Sequence, residues 1–342
     1  MPHRTFFWFI LPSALAMLVF IALPIVSIVV QSLYVEHDRV LVEVENCGPF
    51  GCSKEVRVDA AATAELQREE PLGRFNGLAT YTNRNHLAFD EIGAAWANAP
   101  DIAEFAGEIL SLPFYRALSF TLAYTAVVTP FVIVLGFLIA LAVNMLPSLL
   151  KGPVIFVSLL PMIITPLIGS LVLFWMIDSN GVIGATIQAL ANDPALSLKA
   201  SAPLTWITLF VYGIWHSTPF AFVVFYAGLQ TVPKDTMESA MIDGASTFER
   251  VRFVTLPHLS PLLVFVGLIQ LMDNFRVFEP IVGFNAEANA TSLSWIIFND
   301  LRGAGTPLFG SAAATSTLTL IGVSILLTPV LIRTWRDFTR KG

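Results

Sequence analysis

Six apolar stretches, each long enough to cross a bilayer, constrain this chain more than any other feature. They cover residues 6–30, 117–143, 154–177, 204–229, 259–281 and 308–332, the fifth interrupted by charge. A membrane helix needs about 20 mostly apolar residues. In hydrocarbon the backbone must satisfy its own polar groups, and a helix does so within one segment. Composition agrees: 55% of the 342 residues are hydrophobic and 13% charged, against about 25% charged in soluble domains. The mean hydropathy is +0.72. The expected fold is an all-α membrane protein with six transmembrane helices, both termini cytoplasmic, and a small mixed external insert between helices 1 and 2. The expected division is an N-terminal helix at 1–30, an external insert at 31–113 and a five-helix core at 114–342.

The first stretch carries Arg4 and an Ala14-Leu15-Ala16 run, as a cleaved signal would. Apolar sequence continues well past Ala16, longer than a signal core, which favours an uncleaved anchor. Orientation follows from Lys and Arg in short loops. With the N-terminus inside, the cytoplasmic pieces hold Arg4, Lys151, Lys234, Arg250, Arg252, Arg333, Arg336, Arg340 and Lys341. Only Arg116, Lys199 and Arg302 fall in short external segments. Pro130, Pro161 and Pro166 lie inside spans. Each frees a backbone carbonyl, which fits either tolerated packing irregularity or a broken helix beside a pathway.

Charge is concentrated in one place. Residues 34–113 hold 14 of the 25 acidic and 6 of the 19 basic residues, so the insert is acidic and the membrane body mildly basic. Alternation at 39–44 and 55–58 around a Gly/Pro turn predicts a β-hairpin. Cys47 and Cys52 flank that turn, and outside the cell they can pair; two free thiols are the alternative. Residues 87–112 mix Ala, Ile, Trp and Phe with acids and read as helix on or above the membrane surface. The insert suits a docking platform or a cap with a packing role only. A net charge of −6 without a basic run argues against nucleic acid. Two cysteines and scattered histidines offer no metal site.

The loop at 230–258 carries the sharpest pattern. Pro233 suits a first helical position, Gly244 the left-handed position past a helix end, and Ser246 with Glu249 a capping box. Together they predict a helix–turn–helix foot projecting from the membrane. The run Glu238-Ser239-Ala240, three residues, Gly244, nine residues, Val254-Thr255-Leu256-Pro257 resembles the EAA loop of ABC importer permeases, with Ser for Ala and Val for Ile. Asp243-Gly244-Ala245 and Val232-Pro233-Lys234 resemble the carbohydrate-uptake subgroup, which includes the maltose-type permeases. The resemblance covers about residues 115–340. It implies a permease subunit that imports a sugar, glycoside or polyol. Glu238, Ser239, Ala240, Asp243, Gly244, Ala245, Leu256 and Pro257 would then form the ATPase-coupling loop. It also implies partners: a second permease subunit in a heterodimer, two ATPase subunits, a periplasmic substrate-binding protein and the cell inner membrane. ATP and Mg would be used by the partner ATPase. This chain has no G-x-x-x-x-G-K-[ST] segment and is expected neither to hydrolyse ATP nor to bind a cofactor. A gradient-driven secondary transporter is the alternative, and a membrane enzyme or receptor a third class; neither has a reason to carry the foot.

The fifth span contains Gln270, Asp273, Asn274, Arg276 and Glu279. Ionisable groups at this depth are expensive and usually face a cavity or a partner. On a helical wheel Gln270, Asp273 and Asn274 share one face, and Asp273, Arg276 and Glu279 form an i, i+3, i+6 ladder. One reading is a substrate pathway through Gln270, Asp273, Asn274 and Arg276, with Phe275 and Phe278 to stack on sugar faces. The other is an ion ladder that fixes packing between two subunits. Trp175, Trp215, His216 and Tyr226 read more readily as packing than as ligands.

Overall fold

The computed structural model describes residues 3–48, 51–303 and 306–341, with side chains at 6–45, 54–303, 306–336 and 339. It falls into two compact units, Met1–Tyr115 with Ile296–Ile321, and Arg116–Trp295 with Gly322–Gly342.

In the first unit, the apolar helix Phe6–Gln31 buries none of its side chains within the chain. A single π-type turn, Leu18–Ala22, precedes Pro24. Proline has no N–H to give to the carbonyl four residues back, so the ladder shifts register there. The hairpin forms as expected and is longer: Leu41–Gly48 pairs antiparallel with Gly51–Val58. The backbone register sets Cys47 opposite Cys52. Their side chains, and Pro49 and Phe50, lie outside the described residues, and so does the predicted pairing. Asp59 caps the helix Ala60–Glu69 by accepting from Ala61 and Ala62 N–H. The expected helix over 87–112 is two, Phe89–Asn98 and Ile102–Ser111, the second capped by Asp101. His86 is fully buried. Its Nδ1 lies 2.9 Å from Asn83 Oδ1, and its Nε2 3.2 Å from the Ser311 carbonyl and 3.1 Å from Thr315 Oγ1. The Ser311 hydroxyl donates to Asp300.

The second unit packs the helices Pro113–Met145, from Arg116 onward, and Ala202–Leu229 around Phe120, Tyr124, Val132, Leu209, Phe222 and Phe225. Lipid gives helices no hydrophobic reason to associate, so small residues that allow close approach matter more. Gly136 is one: a Cβ there would stand 2.6 Å from the Ala221 Cβ.

Two expected spans are not straight. The third is Ser148–Ile163 followed by Pro166–Met176, bent by 93°. Among the prolines singled out in sequence, Pro130 and Pro161 sit inside continuous helices, and only Pro166 opens a new one. The residue before a proline avoids the α region, and both Ile164 and Thr165 are extended. The helix Ala202–Leu229 bonds to two backbone carbonyls at the break. Tyr212 Oη donates to the Pro166 carbonyl at 2.6 Å, and His216 Nε2 to that of Ile164 at 3.1 Å. The fifth span bends by 69° between Thr247–His258 and Ser260–Phe275. It ends at Phe275, six residues short of the expected 281, and Glu279–Gly283 is a separate helix. Among the described residues four helices are long and apolar enough to cross a membrane, or up to six spans if each bent pair counts as one.

Candidate functional site

The foot is built as its sequence reads. Its first helix is Lys234–Ile242, with Pro233 one position earlier than expected, as the cap. Asp243 ends the helix and Gly244 follows with φ +80°. The Gly244 N–H donates to the Met241 carbonyl and the Ala245 N–H to that of Ala240. This is the paired pattern that closes a helix through a left-handed residue. Open space surrounds the position where a Gly244 Cβ would sit. The glycine therefore serves the turn's backbone and no close approach within the chain. Ser246 Oγ then accepts from the Glu249 N–H, and the Glu249 carboxylate accepts from the Ser246 N–H at 2.7 Å. The following helix carries Leu256 and Pro257 toward the buried Leu259.

Glu238, Ser239, Asp243, Leu256 and Pro257 are exposed, while Ala240 and Ala245 are half-buried. The turn also exposes large apolar groups that sequence reasoning missed: Ile242 is 87% exposed, Phe248 70% and Phe253 67%. The available signal was apolar residues inside an otherwise polar loop. Between the foot and the ends of Pro113–Met145 and Ala202–Leu229 lies a cavity of about 570 Å³.

The polar residues of the fifth span divide over two environments. Gln270 and Asn274 are buried, and Asn274 Nδ2 donates to Thr129 Oγ1 at 2.9 Å. Asp273 and Arg276 are half-exposed and paired with each other at 2.9 Å. The helix ends between Asp273 and Glu279, so the three-residue ladder expected on one helix does not form. Glu279 begins the short helix packed on Pro166–Met176, where Gly283 lies so close to Ser170 that no Cβ fits. The expected shared face is split by packing: Gln270 and Asn274 are buried, with the Asn274 amide on Thr129, and Asp273 stays at the surface with Arg276. Trp175 and Trp215 are largely exposed, each with a ring contact inside the chain, to Phe174 and Tyr212, and His216 packs at the helix break.

Residues 104–332 match the family described as binding-protein-dependent transport system inner membrane component. The chain belongs to this family. Among its relatives, the inner membrane ABC transporter permease protein YcjO of Escherichia coli K12 is 33% identical over 225 residues, 62% of this chain and 72% of that one. A probable ABC transporter permease protein, y4oQ of Sinorhizobium fredii, is 28% identical over 234 residues, 66% of this chain and 73% of that one. The trehalose/maltose transport system permease protein MalF of Thermococcus litoralis is 34% identical over 137 residues, 37% of this chain and 46% of that one. The fold is similar to that of a chain in the crystal structure of a bacterial ABC transporter involved in the import of the acidic polysaccharide alginate. The TM-score is 0.59 at 22% identity, covering 73% of this chain and 90% of the other. This family chain is thus a membrane-embedded permease component, and its place in the family leaves ATP hydrolysis to other subunits.

Proposed function

We propose that the chain is a transmembrane subunit of a binding-protein-dependent ABC importer for a sugar, glycoside or polyol. The observation that carries this reading is the foot: a helix closed at a left-handed Gly244 and restarted by a full capping box. It projects Glu238, Asp243 and the bare side chains of Ile242 and Phe248. Exposed apolar groups on a charged, rigid turn are what a docking knob needs, because burial in a partner's cleft supplies the affinity and the turn supplies the shape. Family membership and relatives named for trehalose and maltose transport support the substrate class.

In this mechanism substrate arrives from a periplasmic binding protein. Two ATPase subunits close on ATP and Mg, each gripping one foot. Here the foot runs from the end of Ala202–Leu229 to the start of Ser260–Phe275, so its displacement moves both helices together. A second, non-identical permease subunit completes the cavity, and the exposed faces of this chain are where it would lie. Asp273 and Arg276 form the polar wall of the pathway, with Gln270 and Asn274 positioned behind. Six spans cross the inner membrane with both termini in the cytoplasm, Ser148–Ile163 with Pro166–Met176 counting as the third and the stretch that follows the foot, from Ser260, as the fifth. The insert at 31–113 lies outside, and residues 114–342 form the core with its coupling loop at 230–258. The excess of Lys and Arg in the short loops on the foot's side supports that orientation.

Affinity purification of the tagged chain from its native host in mild detergent tests the proposal. An ATPase subunit should be recovered with it. If none is recovered in any nucleotide state, the importer reading fails.

A further inference from the structure

The cavity behind the foot has a chemistry that coupling does not use. Its wall is mixed, with an apolar part that includes Leu141, Met145, Leu229 and Met241 and a polar part that carries two cations, Lys234 and Arg250, against one carboxylate, Glu238. Lys234 and Glu238 form no ion pair among the described residues. Arg250 uses one terminal nitrogen on Thr247 Oγ1 at 3.1 Å. Its Nε is the one buried side-chain nitrogen or oxygen among the described residues with no hydrogen-bond partner. A buried guanidinium N–H left unpaired is costly. Arg250 itself lines this cavity.

We propose that the cavity is a glycerophospholipid site. Arg250 and Lys234 take the phosphate, and the apolar wall takes the first carbons of an acyl chain. Guanidinium and phosphate match in charge and in paired hydrogen-bond geometry. Basic pockets between membrane helices at their ends are suited to such headgroups. The position fits: the cavity lies where Pro113–Met145 and Ala202–Leu229 end and polar loop begins. At that depth a lipid offers phosphate and hydrocarbon together. A soluble oxyanion would satisfy Arg250 and leave the apolar wall wet. Glu238 gives a headgroup that carries donors, such as glycerol hydroxyls, an acceptor that phosphocholine has no N–H or O–H to engage. The inference requires only that the chain is embedded in a membrane, so it stands or falls independently of the transported substrate.

Native mass spectrometry of the full-length chain tests it, after detergent exchange to strip lipid. The protein is titrated separately with phosphatidylglycerol, phosphatidylcholine and inorganic phosphate. Wild type should retain phosphatidylglycerol in preference to phosphatidylcholine. Arg250→Gln should weaken that retention about fivefold or more, and Met237→Trp, which narrows the cavity, should also weaken it. Arg333→Gln should leave it unchanged. Should Arg250→Gln fail to fold, the exposed Lys234→Gln carries the same expectation. Equal retention by wild type and both charge variants overturns the proposal. So does phosphate binding without lipid binding. It is likewise overturned if wild type binds no lipid while Arg250→Gln loses ATPase association, which would place a partner's carboxylate in the cavity.

Discussion

Gly244 offers the most direct measurement on the foot, because the structure separates the two reasons a glycine can be required. Its φ of +80° belongs to a region that L side chains adopt at a cost of roughly 1–2 kcal/mol. A Cβ at this position would meet nothing within 4 Å. The whole penalty of Gly244→Ala is therefore conformational and falls on the helix closure made by the Gly244 and Ala245 N–H groups. If docking needs the closed turn, that penalty passes into binding, and affinity for the partner ATPase should fall by about 5- to 30-fold. Gly244→Asn should lose little, because asparagine tolerates the left-handed region. Gly244→Val, β-branched, should lose more than alanine. Titration of the detergent-solubilised variants against the purified ATPase gives the affinities. Hydrogen exchange over residues 234–245 reports whether the turn has opened. Wild-type affinity for Gly244→Ala would refute the argument. If asparagine binds as poorly as valine while exchange stays native, the ATPase surface itself excludes any side chain, and conformation is not the reason for the glycine.

Further outcomes follow from other contacts. Thr129→Val removes the partner of the buried Asn274 amide and should lower thermal stability in detergent by about 0.5–2 kcal/mol, whereas Thr129→Ser should be close to neutral. Asp273→Ala and Arg276→Ala break a half-exposed pair, so stability should change by no more than about 1 kcal/mol. Uptake in vesicles should nevertheless fall while ATPase association persists, and unchanged uptake would assign the pair to packing. Burial pushes the His86 imidazole below the ordinary histidine value of 6.5, although the Ser311 carbonyl and the Asp300 carboxylate pull upward. The unfolded chain then takes the proton first, so the contribution of His86 is complete above pH 6.5 and declines as pH falls toward the folded value. Asp300, raised by burial, acts in the opposite sense at lower pH, with Glu36 adding to the rise. Melting curves from pH 7.5 to 5.5 should show the loss in wild type and a flatter profile in His86→Gln.

The elements legible in sequence are those whose cause is local. The hairpin was readable from alternation and a Gly/Pro turn, and its register follows. The foot was readable because Gly244, Ser246 and Glu249 act within a few residues of their own positions. The bent spans were not. Pro130, Pro161 and Pro166 carry the same local signal, yet only Pro166 opens a break. Contacts that hold this break lie 46 and 52 residues away, in Tyr212 and His216, which bond to the Pro166 and Ile164 carbonyls. Hydropathy likewise ran the fifth span on to residue 281. It counts apolar character and does not register that Arg276 leaves the helical region.

What the sequence determined by itself is the solvent and the foot: six apolar stretches that demand a membrane, and a loop whose caps and left-handed glycine act over one or two turns of helix. What only the tertiary structure decided is the sorting of side chains that share a stretch. Gln270 and Asn274 lie within six residues of Asp273 and Arg276. The first two are buried, with Asn274 on Thr129 from a helix 145 residues away, and the other two pair at the surface. A helical wheel assigns an angle. Which angle meets a neighbour depends on where the neighbour packs, and close approaches such as Gly136 on Ala221 set that.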